Sequence, residues 1–166
     1  MDQTKLRELQ APLKEQYRRE PASAVITLRA ESRLEEGISC SVATGRALVQ
    51  AGLHPATGGS GHLACSGDML LQALVACAGV TLGAVATSLG IPLRDARVRA
   101  EGDLDVRGTL GVARDTPVGF KEIRLRFDLE SDATPEQRAK LIELTERYCV
   151  VYQTLRSSPQ LLTSHA

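Results

Sequence analysis

Four of the 166 residues carry a thiol: Cys40, Cys65, Cys77 and Cys149. Two of them stand where thiol chemistry could be built. Cys77 lies deep in the most apolar segment, DMLLQALVACAGVTLGAVATSL, and Cys149 lies in RYCVVYQTL at the end of an amphipathic stretch. A thiol inside one helix and a thiol at the end of another could meet across a helix pair. Such a couple can reduce a peroxide. One thiolate is oxidised to a sulfenic acid, and the second thiol condenses with it to a disulfide. That chemistry needs a low thiolate pKa, an apolar pocket, a positive group beside the thiolate and the second thiol. The chain offers the apolar segment and the second thiol, and Arg33, Arg46 and Arg147 are cations whose proximity the sequence does not specify. The competing reading is packing, since a buried Cys ordinarily serves as a small hydrophobe. Cys40 reads that way on the inward side of a strand, and Cys77 taken alone does too. Cys65 falls in a glycine-rich loop with no basic neighbour and reads as a partly exposed, inert thiol. With no C-x-x-C pair and no H-x-x-x-H, zinc has little support, and the thiols read as reduced rather than as a disulfide framework.

The elements that must position these thiols are legible from periodicity. Thr4 to Tyr17 reads as a surface helix with Leu6, Leu9 and Leu13 on one face, covering a sheet or a partner subunit. Ala24, Ile26, Leu28 and Ala30, then Ile38, Cys40 and Val42 after the turn SRLEEG, form a hairpin pattern. Ala51 to Gly67 is a loop with five glycines. It lacks the G-K-[ST] ending of a phosphate cradle and reads as backbone passing close to another surface. The long helix follows, with Ser66 as N-cap, Asp68 in the first turn where the helix dipole favours a carboxylate, and Gly90-Ile91-Pro92 as its stop. Val98, Ala100, Leu104 and Val106 alternate with Arg97, Arg99, Asp103, Asp105 and Arg107. Ile123, Leu125, Phe127 and Leu129 alternate with Glu122, Arg124, Arg126, Asp128 and Glu130. This period of two predicts an antiparallel pair with one apolar and one salt-bridged face. The last helix opens on Thr134-Pro135-Glu136-Gln137, a capping box with proline in the first helical position. Leu141, Leu144, Thr145 and Tyr148 form its buried face, which Cys149 borders. From Thr154 a final turn or strand is expected.

Composition narrows the function classes. The chain has 20 basic and 20 acidic residues and a formal net charge of +0, which argues against nucleic acid or an anionic membrane as the main partner. It has no Trp and only Phe120, Phe127, Tyr17, Tyr148 and Tyr152 as aromatics, so a base-stacking platform is not expected. Met69 to Leu89 approaches membrane-spanning length but reads as a buried core helix, because the rest alternates as soluble strands do. The charged N-terminal stretch carries no apolar signal core, so a cytoplasmic setting is expected. Residues 1–166 read as a single α+β domain, with 1–20 a helical extension and the apolar helix laid against the sheet.

The order of these segments resembles the OsmC/Ohr family, the osmotically inducible and organic hydroperoxide resistance proteins. The resemblance spans roughly Val25 to Leu155. SGDMLLQALVACAGVTL is similar to the family's segment around its first catalytic Cys, RYCVVYQTL to its C-P-V-x-x-T-L segment around the second, and GFKEIRLRFDLESDATPEQRAKLIEL to the strand and capped helix between. The separation, 149 − 77 = 72, is family-like. The resemblance implies antiparallel sheets packed around a long central helix in an intertwined homodimer. It implies Cys77 as peroxidatic thiolate, Cys149 as resolving thiol, an organic hydroperoxide as substrate, and a dithiol reductant such as a lipoylated protein. No metal, haem or flavin is implied. The family's helix-start Glu corresponds to Asp68, one methylene shorter, with Ser66 where its proline stands. Its activating arginine corresponds most nearly to Arg33. Where some relatives carry that arginine in the loop before the helix, this chain has His62, and Val150 replaces the proline after the second Cys. The alternative is a redox-sensing or small-molecule-binding module without turnover.

Overall fold

The computed structural model describes residues 3–35, 39–42 and 51–165, without the side chains of 3–7, 28–30, 32–35 and 39–42. Strands β1 (Val25–Glu35), β2 (Ser39–Val42), β3 (Asp95–Asp105) and β4 (Phe120–Glu130) form one antiparallel sheet in the order β2-β1-β3-β4. The predicted alternation is what builds it. Ala96, Val98 and Ala100 of β3 are buried, and Ile123, Leu125, Phe127 and Leu129 of β4 pack beside them on the same core. The opposite face carries a charge ladder: Arg97 and Arg99 reach Glu31 at 3.2 and 3.0 Å, and Arg124 reaches Asp103 at 2.7 Å. These pairs are partly exposed, so they solvate the outer face more than they stabilise the fold.

Two strand expectations are corrected. SRLEEG is not a turn over its whole length, because β1 continues through Glu35, with Ser32 to Glu35 paired to Val42 to Ser39. Asp105 is not on the wet face. The β3–β4 register shifts between Asp103 and Leu104, with Lys121 the extra residue on β4, and Asp105 ends β3 as the N-cap of the helical turn that follows. Asp105 is thereby turned inward to 1% exposure. It caps a single helical turn, α3 (Val106–Thr109), by accepting the Arg107 N–H at 3.1 Å, and it accepts Arg107 Nε at 2.9 Å. Those bonds hold its carboxyl below the ordinary carboxylate value against the cost of burial. Val106, read as strand, instead joins Tyr17, Ala24 and Leu110 in a small second core.

Helix α1 (Gln3–Arg19) closes that second core. Tyr17 Oη donates to the Ala56 carbonyl at 2.7 Å, and Gln10 Nε2 donates to the Thr57 carbonyl at 3.1 Å. The glycine-rich loop is therefore clamped under α1. It is also tightly folded on itself: a Cβ on Gly59 would sit 1.6 Å from the Leu53 carbonyl oxygen, so no larger residue fits there.

Helix α2 (Ser66–Leu89) crosses the inner face of the sheet, touching β1, β2 and β3 on one side and the two C-terminal helices on another. It is long and apolar enough to span a membrane, yet Leu71, Leu74, Val75, Ala78, Leu82, Val85 and Ala86 are buried in the main core. Its N-cap is Cys65 rather than Ser66, which is the first helical residue. It stops at Gly90, whose φ of +65° few side chains tolerate, and the Ile91 N–H then bonds back to the Ala86 carbonyl at 2.9 Å. Helix α4 (Pro135–Tyr148) starts with the predicted capping box, Thr134 and Gln137 bonding each other's backbone. Leu141 and Thr145 are fully buried, but Tyr148 is 57% exposed, a correction to its expected place. After it, α5 (Val150–Arg156) runs on through Arg156, into the stretch from Thr154 that was expected as a turn or strand.

Candidate functional site

The site begins with a break between two helices. Cys149 has φ −72° and ψ 107°, an extended conformation that ends α4 and starts α5. Its N–H still bonds the Thr145 carbonyl at 2.9 Å, and its own sulfur accepts the Tyr152 N–H at 3.5 Å, so one residue caps both helices. Being apolar as well as a weak acceptor, a thiol suits a fully buried cap. The break leaves the first N–H groups of α5 without helical partners. Those of Val150 and Val151 turn to the sulfur of Cys77 on α2.

Cys77 is half-buried, and four donors converge on its sulfur: the Val151 and Val150 amides, the Cys149 thiol and the Thr81 hydroxyl. Burial, the largest single influence, opposes ionisation, but the hydrogen bonds together outweigh it and hold the Cys77 thiol below its ordinary value. Cys149 goes the other way. Burial, reinforced by the neighbouring Cys77 sulfur, pushes it up to about 11. The two thiols are unbridged and ionise in a set order: Cys77 becomes a thiolate while Cys149 stays a thiol that donates to it. Among the described residues, the groups that act on the Cys77 sulfur are all neutral.

The other predicted residues fall elsewhere. Asp68 precedes Cys77 by nine positions, about two and a half turns, which puts it on the opposite side of α2. Burial raises its carboxyl, and the group that partly offsets this is His54, whose Nδ1 accepts the Ala56 N–H at 3.0 Å. Asp68 is thus not brought to the thiol pair within the chain. Arg33 lies within β1 rather than in a turn, its backbone opposite Ser41 and Arg97, and its side chain is outside those described. The side chain of Cys40 is likewise outside them. Cys65 is half-buried against the main core, and His62 is exposed.

A cavity of about 420 Å³ opens between β4, α2, α4 and α5. Leu74, Phe120, Ile123, Leu125, Tyr152 and Leu155 give it an apolar wall, and Lys121, Glu122, Glu146 and Arg156 charge its rim. Neither cysteine lines it, but two of its lining residues neighbour the thiol pair. Leu74 lies one helical turn before Cys77, and Tyr152 is the residue whose N–H meets the Cys149 sulfur.

Two sulfurs paired across a core helix and a helix break, behind an antiparallel sheet, define an α+β thiol protein. The OsmC-like protein family model matches residues 59–164, and the chain belongs to that family. An OsmC-like hydroperoxide resistance protein from Jannaschia sp. CCS1 superposes with a TM-score of 0.59 at 17% identity, covering 83% of this chain and 91% of that one. An OsmC-like protein from Mycoplasma pneumoniae gives 0.57 at 17%, covering 81% and 86%. These two likenesses show the fold. Comparison with curated proteins returns no match.

Sequence reasoning missed three groups at the thiol. Thr81 carried a signal, as a polar residue one turn after Cys77 in a mostly apolar helix. The Val150 and Val151 amides carried none, because a backbone N–H becomes a ligand only where a helix breaks.

Proposed function

We propose that the protein is a thiol-dependent peroxidase that reduces organic hydroperoxides to alcohols. The observation that carries this reading is the opposite ionisation of two contacting sulfurs, one eased and one suppressed. The Cys77 thiolate attacks the distal peroxide oxygen and the O–O bond breaks. The alkoxide leaves and takes a proton to become the alcohol, and Cys77 is left as a sulfenic acid. Cys149 attacks that sulfur, releasing water and forming the disulfide. A dithiol, of the lipoyl type or similar, then reduces the bridge by exchange. The cavity beside Leu74 offers an apolar berth for the carbon body of the peroxide. Met69, Leu70 and Val80 on α2 and Val25 on β1, all more than a third exposed, suit burial in a homodimer. A cytoplasmic setting would keep both thiols reduced between turnovers.

A second reading, redox sensing without turnover, is favoured because no charged side chain among the described residues is a donor to Cys77. One measurement separates the two. Thiols are counted on reduced protein before and after one equivalent of cumene hydroperoxide, and the peptides are mapped. The peroxidase reading expects loss of two thiols, a Cys77–Cys149 bridge, and repeated turnover once a dithiol is added. A bridge that forms once but does not cycle supports sensing. Folded protein with Cys77 still reduced would sink both.

A further inference from the structure

In a regular strand, residues three apart face opposite sides of the sheet. On β4, Phe120 and Ile123 are three apart, yet both pack against the main core. The bulge at Lys121 is the reason. The register passes from Asp103 opposite Glu122 to Leu104 opposite Phe120, and the skipped residue turns Phe120 inward. The ring then needs somewhere to lie, and β3 supplies it. Gly102 continues the inner row of Ala96, Val98 and Ala100, and it is buried with no side chain of its own. A Cβ on Gly102 would sit 2.5 and 2.6 Å from two carbons of the Phe120 ring, well inside contact distance. Gly102 is not among the glycines with positive φ, so its backbone does not call for glycine. The close approach of the ring does.

Phe120 is also a wall of the 420 Å³ cavity. The sheet lies behind the ring, and the other walls belong to α2, α4 and α5. Any side chain added at Gly102 therefore pushes the ring off the sheet and into that space. The cavity is near the lower end of the range for small-molecule sites, about 300–1,000 Å³, so room is limiting. Phe120 and Tyr152, two of the five aromatic side chains of the chain, both line it and offer faces and edges to a flat ring. At the rim Lys121 and Arg156 are matched by Glu122 and Glu146, so the charges exert no net pull on an ionic ligand.

We infer that the cavity admits a compact, uncharged aryl body, and that Phe120, seated on Gly102, sets the limit on its size. This rests on the peroxidase reading for its substrate, an aryl hydroperoxide, but its test uses no peroxide. The probe is 2-phenyl-2-propanol, the alcohol that cumene hydroperoxide leaves, titrated into reduced protein with backbone amide chemical shifts as the readout. The parent should respond at β4 and α5. Gly102→Ala should raise the dissociation constant about threefold and Gly102→Val at least about tenfold, because overpacking drives the ring into the cavity. In Phe120→Ala protein, which has no ring to displace, adding Gly102→Val should change the constant by less than about twofold. Phe120→Ala alone should shift preference toward the naphthyl analogue of the probe by at least about fivefold, and that readout decides the matter if neither glycine variant folds. A parent that does not respond at β4 and α5 would overturn the inference. So would equal constants for the parent and the folded glycine variants, or an unmoved preference in Phe120→Ala. A valine effect that survives removal of the ring would do the same, since it would then lie in strand packing. If the probe binds as expected while peroxide is not consumed, the cavity assignment stands and the peroxidase reading falls. Turnover of cumene hydroperoxide by Gly102→Val at the parent's rate would keep the peroxidase reading and remove this one.

Discussion

Two identical side chains are driven apart by what surrounds them. Cys77 has hydrogen-bond donors on several sides and ionises early, while Cys149 is sealed in the core and ionises late. The difference makes stability depend on pH with a sign that can be worked out. Cys77 is lower in the folded state than its ordinary value of 9.0, so the folded protein releases that proton first, and stability rises as pH climbs toward 9. Cys149 is raised to about 11, so above 9 the unfolded chain loses a proton that the folded one keeps, and stability falls up to about 11. The slope from one such group is at most about 1.4 kcal/mol per pH unit. Urea midpoints taken from pH 7 to 11 should therefore pass through a maximum near 9. Cys149→Ala should flatten the decline just above it. Tyr17 and Tyr152, also raised by burial, leave a residual fall at the alkaline end. An unchanged slope in the variant would place the buried proton elsewhere.

Between elements, the α4–α5 break decides the site, and Val150 is where it can be probed. The residue begins α5 and is 71% exposed, so a ring there meets solvent. Proline is well tolerated at the first helical position, and Cys149 already has the extended ψ of 107° that a following proline demands. Val150→Pro should thus fold with a melting temperature within a few degrees of the parent. It deletes one N–H from the set around Cys77, and the pH midpoint of Cys77 alkylation by iodoacetamide should rise by up to about one pH unit. An unmoved midpoint would show that this amide does not hold the thiolate. Element by element, legibility in the sequence followed local cause. The capping box at Thr134, the stop at Gly90 and the alternation of β4 rest on neighbours in sequence, and each appears as expected. The burial of Asp105 and the exposure of Tyr148 depend on the helical turn that ends β3 and on which face of α4 meets α2, and periodicity alone misplaced both.

For the whole molecule, the open question of partnership is posed by α2, a core helix with an uncovered side. Met69, Leu70, Val80 and Leu89 are each more than a third exposed along its length. A homodimer that buries this side would scatter as about twice 17.8 kDa in solution. Val80→Asp, which sets a charge at the middle of the stripe, should return the mass to 17.8 kDa or raise the dissociation constant at least tenfold. A parent protein of monomer mass at tens of micromolar would remove the dimer from the reading.

By itself the sequence determined the long core helix and its stop at Gly90, the alternating strands, the capping box at Thr134, the family, and the two thiols worth following, because each of these is written in local pattern or in the order of motifs. Only the tertiary structure decided that Cys77 and Cys149 touch, that the amides after the α4–α5 break turn to Cys77, and that Asp68 looks to His54. The reason is physical. Backbone N–H groups have the same chemistry in every residue but proline, and they become a binding site only when a fold interrupts a helix beside the atom they are to hold.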